Sequence, residues 1–293
     1  MELGAFTLGE SVPELRQPHV LTMLRPWIDV GGVGAAALDG MEAALEPLPL
    51  GQLTTPGRFF DFTRYRPSAY FKDGVRQVDM PNSFLRYAIG PGDHDFLFFH
   101  LLEPHANGEE YVESVLQVMQ HFSARCYALL GAMYDMVPHT RPLRISGSAT
   151  DQAIQARLTE YGARPSRYEG PTTIMTVVTA EAVRKGMDTI SMLVRLPQYA
   201  PLDEDFAGAV RMLQVLSEIY NVPIDTSALQ AKAEEQIRQI DTAVAANPQL
   251  QRAVNHLEER YDARHRPVAQ EVSPPEPTPL PPAIEQFLRE LGN

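Results

Sequence analysis

Three glycines near the start of the chain have the spacing of a phosphate-binding turn. Gly31, Gly32 and Gly34 lie between an apolar stretch and an alanine-rich amphipathic segment, an order that predicts strand, tight turn and helix. Glycine permits positive φ angles, and the first N–H groups of a helix can bind an anion. The segment from Gly32 to Ala37 fits the G-x-G-x-x-A form of the dinucleotide fingerprint. The fingerprint also requires an acidic residue about 20 residues further on. The candidate here, Asp61, is 29 residues from Gly32, so the pattern favours a structural turn.

Four polar side chains follow segments that we predict to be buried strands. Glu103, His139, Arg141 and Tyr199 lie in proline-containing loops after those strands. In an open parallel sheet such loops share one rim with the glycine turn, and ligand crevices form there. The four side chains are therefore candidates for a pocket that binds a nucleoside or nucleotide. The alternative is that the prolines only end the strands and that Arg141 holds its own loop.

Other kinds of chemistry have weaker support in the sequence. The chain has no G-x-S-x-G elbow, no P-loop and only one cysteine, Cys126, so a disulfide and a cysteine-rich metal site are excluded. We expect no catalytic residue, no metal and no cofactor. The net charge of -12 argues against nucleic-acid binding. No segment has 18 uninterrupted apolar residues and the first residues do not resemble a signal peptide, so we expect a cytoplasmic protein without a membrane segment.

The elements that would position these side chains alternate between strands and helices. Strands are predicted at 21–30, 58–63, 95–102, 124–133, 173–178 and 189–196, with residues 1–19 and the stretch before 150 irregular. An Asp73-Gly74 pair between short β-prone runs predicts a hairpin, part of an antiparallel insertion near 66–90 at one edge of the sheet. The alternation predicts an α/β fold, a three-layer α/β/α sandwich with a mostly parallel sheet.

Beyond Pro197 the pattern is helical only. We predict a core domain over 1–224, a C-terminal helical extension, or helical hairpin, over 225–262, and a proline-rich tail over 263–293 that ends in a short amphipathic helix. Apolar helix faces need a partner, so the hairpin either covers the sheet or forms a partner or oligomer interface. The apolar residues proposed for that interface are Leu229, Ile237, Ile240, Val244, Leu250, Val254, Leu257, Phe287 and Leu288.

The order of several motifs resembles the proteasome assembly chaperone family, of the second-subunit type and in its larger actinobacterial style. The motifs include WIDVGGVGAAALDGMEAAL, DGVRQVDMPNS, FLFFHLLEPH, MYDMVPHTRP and RLPQYAPLDEDFAGAV. The resemblance implies a sandwich similar in topology to nucleoside phosphorylases, no catalytic residues, and a chaperone that helps 20S proteasome subunits assemble. It also implies protein partners and a homo-oligomer, for which a trimer fits. The family's hydrophobic-Tyr-X tail is replaced here by Leu291-Gly292-Asn293.

Overall fold

The computed structural model describes residues 1–9, 14–166 and 168–265. The predicted terminal helix, with Phe287 and Leu288, lies outside the described residues. The strands are β1 (Glu2–Leu3), β2 (Phe6–Leu8), β3 (His19–Arg25), β4 (Leu48–Leu53), β5 (Ser68–Lys72), β6 (Val75–Asp79), β7 (Phe84–Ala88), β8 (Phe96–Leu102), β9 (Cys126–Asp135), β10 (Ile145–Ala149) and β11 (Asp188–Pro197). The helices are α1 (Val33–Leu45), α2 (Gly108–His121), α3 (Gln152–Glu160), α4 (Ile174–Arg184), α5 (Phe206–Tyr220), α6 (Ser227–Ala245) and α7 (Pro248–His265).

Nine strands form one mixed sheet whose centre is parallel. The strand order is β1-β2-β4-β7-β8-β3-β9-β11-β10. The central strands β8, β3, β9 and β11 pair in parallel, and the strands outside them pair antiparallel. The central strands are buried on both faces, which explains their continuous apolar sequences.

Helices cover both faces of this sheet. On one face α2 and α4 pack through Tyr111, Val115 and Met175, and on the other α1 and α5 pack through Met41 and Leu213. Each face has its own cluster of buried side chains, so the molecule has three layers. The predicted α/β/α sandwich is confirmed.

Two of the predicted strands are wrong. The stretch 58–63 is a turn that buries Phe59 and Phe60. The strand in this part of the chain is β4, which comes earlier, contains Pro49 and Gly51, and was not predicted. The stretch 173–178 begins α4. Its β-branched residues favoured a strand, but Met175, Val178 and Ala182 recur at helical spacing and are buried against the sheet.

Two segments expected to be irregular contain edge strands. Residues 1–19 include β1, which pairs with β2, and β2, which pairs with β4 and buries Phe6 and Leu8. The predicted loop before residue 150 contains β10, which pairs antiparallel with β11. Short edge strands carry few residues, so their pattern was too short to recognise.

The predicted hairpin forms, but it is separate from the main sheet. Strands β5 and β6 pair only with each other, around a turn in which Asp73 and Gly74 both have positive φ angles. The third β segment of the predicted insertion, β7, joins the main sheet between β4 and β8. All ten residues of β5 and β6 are exposed.

A buried carboxylate links α1 to the sheet. Glu42 of α1 accepts hydrogen bonds from His100 Nε2 at 2.7 Å and from Arg86 Nη1 at 2.6 Å. Burial alone would raise the pKa of Glu42, but the hydrogen bonds and charges of His100 and Arg86 outweigh it and hold that pKa below its ordinary value. The His100 ring also stacks on Phe84, with ring centroids 4.4 Å apart.

At the other end of the sheet, His19 is buried as a neutral base. Its ring stacks on His94 at 4.1 Å, and its Nδ1 has no hydrogen-bond partner among the described residues. Burial, with smaller effects from His94 and Arg125, lowers the pKa of His19 from its ordinary 6.5 to about 3. Asp93 and Asp151 act in the opposite direction.

This histidine should make folding stability depend on pH. Below about pH 6.5 His19 is protonated in the unfolded state but stays neutral in the folded state. Its contribution to the free energy of unfolding is therefore complete above that pH, and it decreases by roughly 1.4 kcal/mol per pH unit toward pH 3. We expect His19→Leu to lose about 2 kcal/mol less between pH 7 and pH 5 than the wild-type chain in urea unfolding. Equal losses in the two proteins would show that His19 is accessible to protons in the folded state.

Candidate functional site

The loop after β9 and the residue Tyr199 after β11 meet at the rim of the sheet, as predicted. The Tyr199 hydroxyl accepts a hydrogen bond from the His139 backbone N–H at 2.8 Å and lies 2.5 Å from His139 Nδ1. Burial raises the pKa of Tyr199 to about 12, so this hydroxyl keeps its proton at neutral pH. The other ring nitrogen of His139, Nε2, lies 3.0 Å from the Asp241 carboxylate of α6.

Arg141 makes the second contact from this loop to the C-terminal helices. Its Nε and Nη2 donate to the two carboxylate oxygens of Asp262 at 2.9 and 2.8 Å, and its Nη1 lies 3.3 Å from Glu258 Oε1. Thr140 also donates to Glu258, and Tyr261 donates to the Pro142 carbonyl at 3.1 Å. The planar guanidinium thus makes a bidentate pair with α7.

These contacts attach the C-terminal helices to the rim of the sheet. The side chains that the sequence proposed for ligand binding, His139, Arg141 and Tyr199, are occupied by internal partners on α6 and α7. A groove of about 470 Å³ remains between the loop, α5 and α6 and is lined in part by Arg211 and Ile237. The arrangement orders the helices and offers no free acid–base pair to a substrate.

Removing the guanidinium should loosen α7. We expect Arg141→Gln to increase hydrogen exchange at the backbone amides of 248–262, because the bidentate contact to Asp262 and the contact to Glu258 would both be lost. Arg238→Gln is the matched control, since among the described residues Arg238 forms its ion pair with Glu235, on the exposed side of α6. Unchanged exchange in α7 for both variants would show that the bidentate pair does not hold this helix.

The glycine turn is closed by the Asp29 carboxylate and by Asp205, whose backbone N–H donates to the Gly31 carbonyl at 2.8 Å. Asp29 Oδ1 accepts from the N–H groups of Gly34 and Ala35 at 2.7 and 3.2 Å. Gly31 has a φ of 62°, and a Cβ there would lie 2.8 Å from the Cβ of Asp205. Burial raises the pKa of Asp29 and of Asp205. Because the first N–H groups of α1 already donate to Asp29, the geometry supports a structural turn and argues against phosphate binding there.

The remaining rim candidate, Glu103, makes its contacts on another part of the rim. Its backbone N–H donates to the Arg25 carbonyl at 2.9 Å, and its own carbonyl accepts from Tyr65 at 3.0 Å. None of these atoms belongs to the group around His139. The four proposed ligand residues therefore do not form a single set of contacts.

The apolar residues of the helical hairpin face inward. Val244, Val254 and Leu257 are buried within the chain, which corrects their assignment to a partner interface. They cover the neighbouring helices because an amphipathic stripe buries itself against the nearest apolar surface. The residues that stay partly accessible are Leu229, Ile237, Ile240 and Leu250.

The exposed apolar surface lies instead on the β5–β6 hairpin. The cross-strand register places Phe71 and Val78 on one face and Tyr70 and Val75 on the other. The Phe71 side chain is 74% exposed. Sequence reasoning recognised the hairpin but missed this surface, because it placed the strands at the edge of the main sheet. The available signal was that both faces of the hairpin carry large apolar residues.

Acidic partners on α6 and α7 were also missed. Sequence reasoning assigned no role to Asp241, Glu258 or Asp262. Glu258 and Asp262 are four residues apart and share one helix face, which suits a single arginine. No group of three or more metal-ligating side chains occurs among the described residues, and no helix there is long and apolar enough to cross a membrane.

Comparison with known proteins gives one family match. A sequence model of the PAC2 family matches residues 23–244. That span includes the central strands, the rim loops, the β5–β6 hairpin and most of α6. No curated protein sequence matches the chain.

Several solved structures share the fold. A Mycobacterium tuberculosis protein of unknown function is 22% identical and covers 90% of this chain and 93% of its own, with a TM-score of 0.76. A proteasome-assembly chaperone homologue from the same species is 24% identical over 80% of this chain and 99% of its own, with a TM-score of 0.70. The archaeal proteasome activator PbaB of Pyrococcus furiosus is 17% identical over 81% and 97%, with a TM-score of 0.64.

Proposed function

Because the chain belongs to the PAC2 family, we propose that it is a non-enzymatic, cytoplasmic chaperone that binds proteins and assists the assembly of the 20S proteasome. Similar structures include a proteasome-assembly chaperone homologue and an archaeal proteasome activator. Family membership supports the chaperone-like role, and the similarity to these two proteins suggests the proteasome as its target.

The observation that carries this proposal is the exposed β5–β6 hairpin. An isolated two-stranded hairpin is marginally stable in water, and this one presents large apolar side chains on both of its faces. Such a surface suits a protein partner or a second copy of the chain. We propose that it serves self-association, with a trimer as the expected state, and contact with proteasome subunits.

The geometry of the rim supports a non-enzymatic role. His139, Tyr199 and Arg141 donate or accept within the chain, and Asp29 caps the helix at the glycine turn. Catalysis by these groups would require at least one of them to meet a substrate instead. Their role in our proposal is to hold α6 and α7 in place.

Native mass spectrometry can test the proposal with the full chain. We expect complexes between the chain and unassembled 20S α-subunits of the same organism at micromolar concentrations, and none with the finished 20S particle at the same concentrations. Arg184→Gln, a change on the outer surface of α4, is the control and should bind like the wild type. Absence of any complex with the unassembled α-subunits would reject a role in proteasome assembly.

A further inference from the structure

A groove separate from the contacts of His139 and Arg141 lies where the helices that follow two neighbouring strands pack on opposite faces of the sheet. The adjacent parallel strands β3 and β8 pair with Arg25 opposite Leu102 at their carboxyl ends. The helix after β3, α1, packs on one face of the sheet, and the helix after β8, α2, packs on the other. In open α/β sheets a crevice opens between two such strands, and ligands bind in it.

This groove has the size and walls of a small-molecule site. Its volume is about 760 Å³, within the range typical of ligand pockets. Phe84 and Tyr65 form apolar walls and are fixed in place, Phe84 by stacking on His100 and Tyr65 by its hydrogen bond to the Glu103 carbonyl. The base of the β5–β6 hairpin closes one side through Met80.

The charges in the groove favour an anion. Arg25 and Arg66 both line it, and neither makes an ion pair with a carboxylate of the described residues. The one carboxylate in the lining, Asp79, accepts a hydrogen bond from Tyr70 at 3.3 Å. The lining therefore carries two guanidinium groups and one carboxylate. Guanidinium groups bind phosphate and carboxylate oxygens in pairs.

A polar atom in the lining also lacks its partner. The Asn82 amide nitrogen donates to the Leu53 carbonyl at 3.1 Å, but its Oδ1 is buried without a hydrogen-bond partner among the described residues. Buried acceptors are nearly always satisfied, so an N–H or O–H donor is expected beside this oxygen. A ligand that carries both an oxyanion and a hydroxyl or amine would supply it.

We propose that this groove, between the ends of β3 and β8 and the base of the β5–β6 hairpin, binds a small organic oxyanion through Arg25, Arg66 and Asn82. The oxyanion is a phosphate ester or a carboxylate, and the rest of the ligand lies against Phe84 and Tyr65. This site does not use the glycine turn or the contacts of His139. It is also independent of the proposed chaperone function.

Isothermal titration of the full chain in phosphate-free buffer tests the site. The probes are adenosine 5′-monophosphate, ribose 5-phosphate and citrate. We expect at least one to bind with a Kd below about 1 mM, and we expect Arg25→Gln and Arg66→Gln each to weaken it about tenfold or more. Both arginines are exposed, so these variants should fold, and the melting temperature of each is measured to establish that.

Controls and probes separate the possible outcomes. Arg184→Gln removes an arginine that pairs with Glu181 on α4, away from the groove, and should bind like the wild type. Binding of the two phosphates assigns a phosphate ester, and binding of citrate assigns a carboxylate. A lower Kd for adenosine 5′-monophosphate than for ribose 5-phosphate indicates that the adenine ring lies against Phe84. The site is rejected if no probe saturates below about 1 mM, or if the folded Arg25 and Arg66 variants bind unchanged.

Discussion

Replacing Glu42 by alanine is expected to lower the free energy of unfolding by about 3–5 kcal/mol, the range found when one partner of a buried ion pair is removed. The carboxyl side chain is only 7% exposed, and it accepts from both His100 and Arg86. Without it, the Arg86 guanidinium and the buried His100 ring lose their acceptor between α1 and β8. Urea unfolding followed by circular dichroism measures the change.

Two further variants make this measurement specific. Asp39→Ala removes an exposed carboxylate from the same helix and should change the free energy by no more than about 0.5 kcal/mol. The double variant Glu42→Leu with His100→Leu removes both sides of the buried pair, and we expect it to be more stable than Glu42→Ala alone. A loss for Glu42→Ala no greater than that for Asp39→Ala would show that the buried cluster contributes nothing.

Phe71→Asp is expected to abolish self-association and partner binding while leaving the fold intact. A central aromatic residue of a protein interface typically contributes 2 kcal/mol or more, so the dissociation constant should rise by about 30-fold or more. Every residue of β5 and β6 is exposed, so the variant should keep the melting temperature of the wild type. Light scattering coupled to size exclusion gives the oligomer mass directly.

The matched control replaces another exposed apolar side chain elsewhere. Ile89 is 56% exposed and follows β7 at the amino end of the parallel strands, whereas the hairpin lies at their carboxyl end. Ile89→Asp should therefore leave the oligomer mass unchanged. If Phe71→Asp also leaves it unchanged while the wild type associates, the hairpin is not the interface.

The sequence predicts the centre of this fold well and its edges poorly. Strands buried on both faces, such as β8 and β9, have unbroken apolar runs, and α2 repeats its apolar residues at helical spacing. Both signals arise from burial and are visible without a structure. At the edges, β1 and β10 are short and partly exposed, so burial leaves little pattern in them.

The helix α4 illustrates how packing overrides local preference. The run that begins it is rich in threonine and valine, which favour strands. Burial of Met175, Val178 and Ala182 on one side of a helix outweighs that preference. The relevant contacts come from α2 and the sheet, which no local window of sequence contains.

At the rim of the sheet, the sequence predicts which polar residues lie there but does not predict the residues that they contact. Topology correctly placed His139 and Tyr199 together, because loops after neighbouring parallel strands share one edge. The partner of His139 on α6, Asp241, is 102 residues away along the chain, and the partner of Arg141 on α7, Asp262, is 121 residues away. The path by which α6 and α7 return across the rim decides whether these polar groups meet a ligand or the chain itself.

One measurement tests the central claim, that this chain is a protein-binding chaperone of proteasome assembly, most directly. Unassembled 20S α- and β-subunits of the same organism are mixed with and without an equimolar amount of the full chain, and the formation of 20S particles is followed over time by native mass spectrometry. We predict faster formation with the wild-type chain and with Ile89→Asp, and no acceleration with Phe71→Asp. An unchanged rate with the folded wild-type chain would contradict the claim.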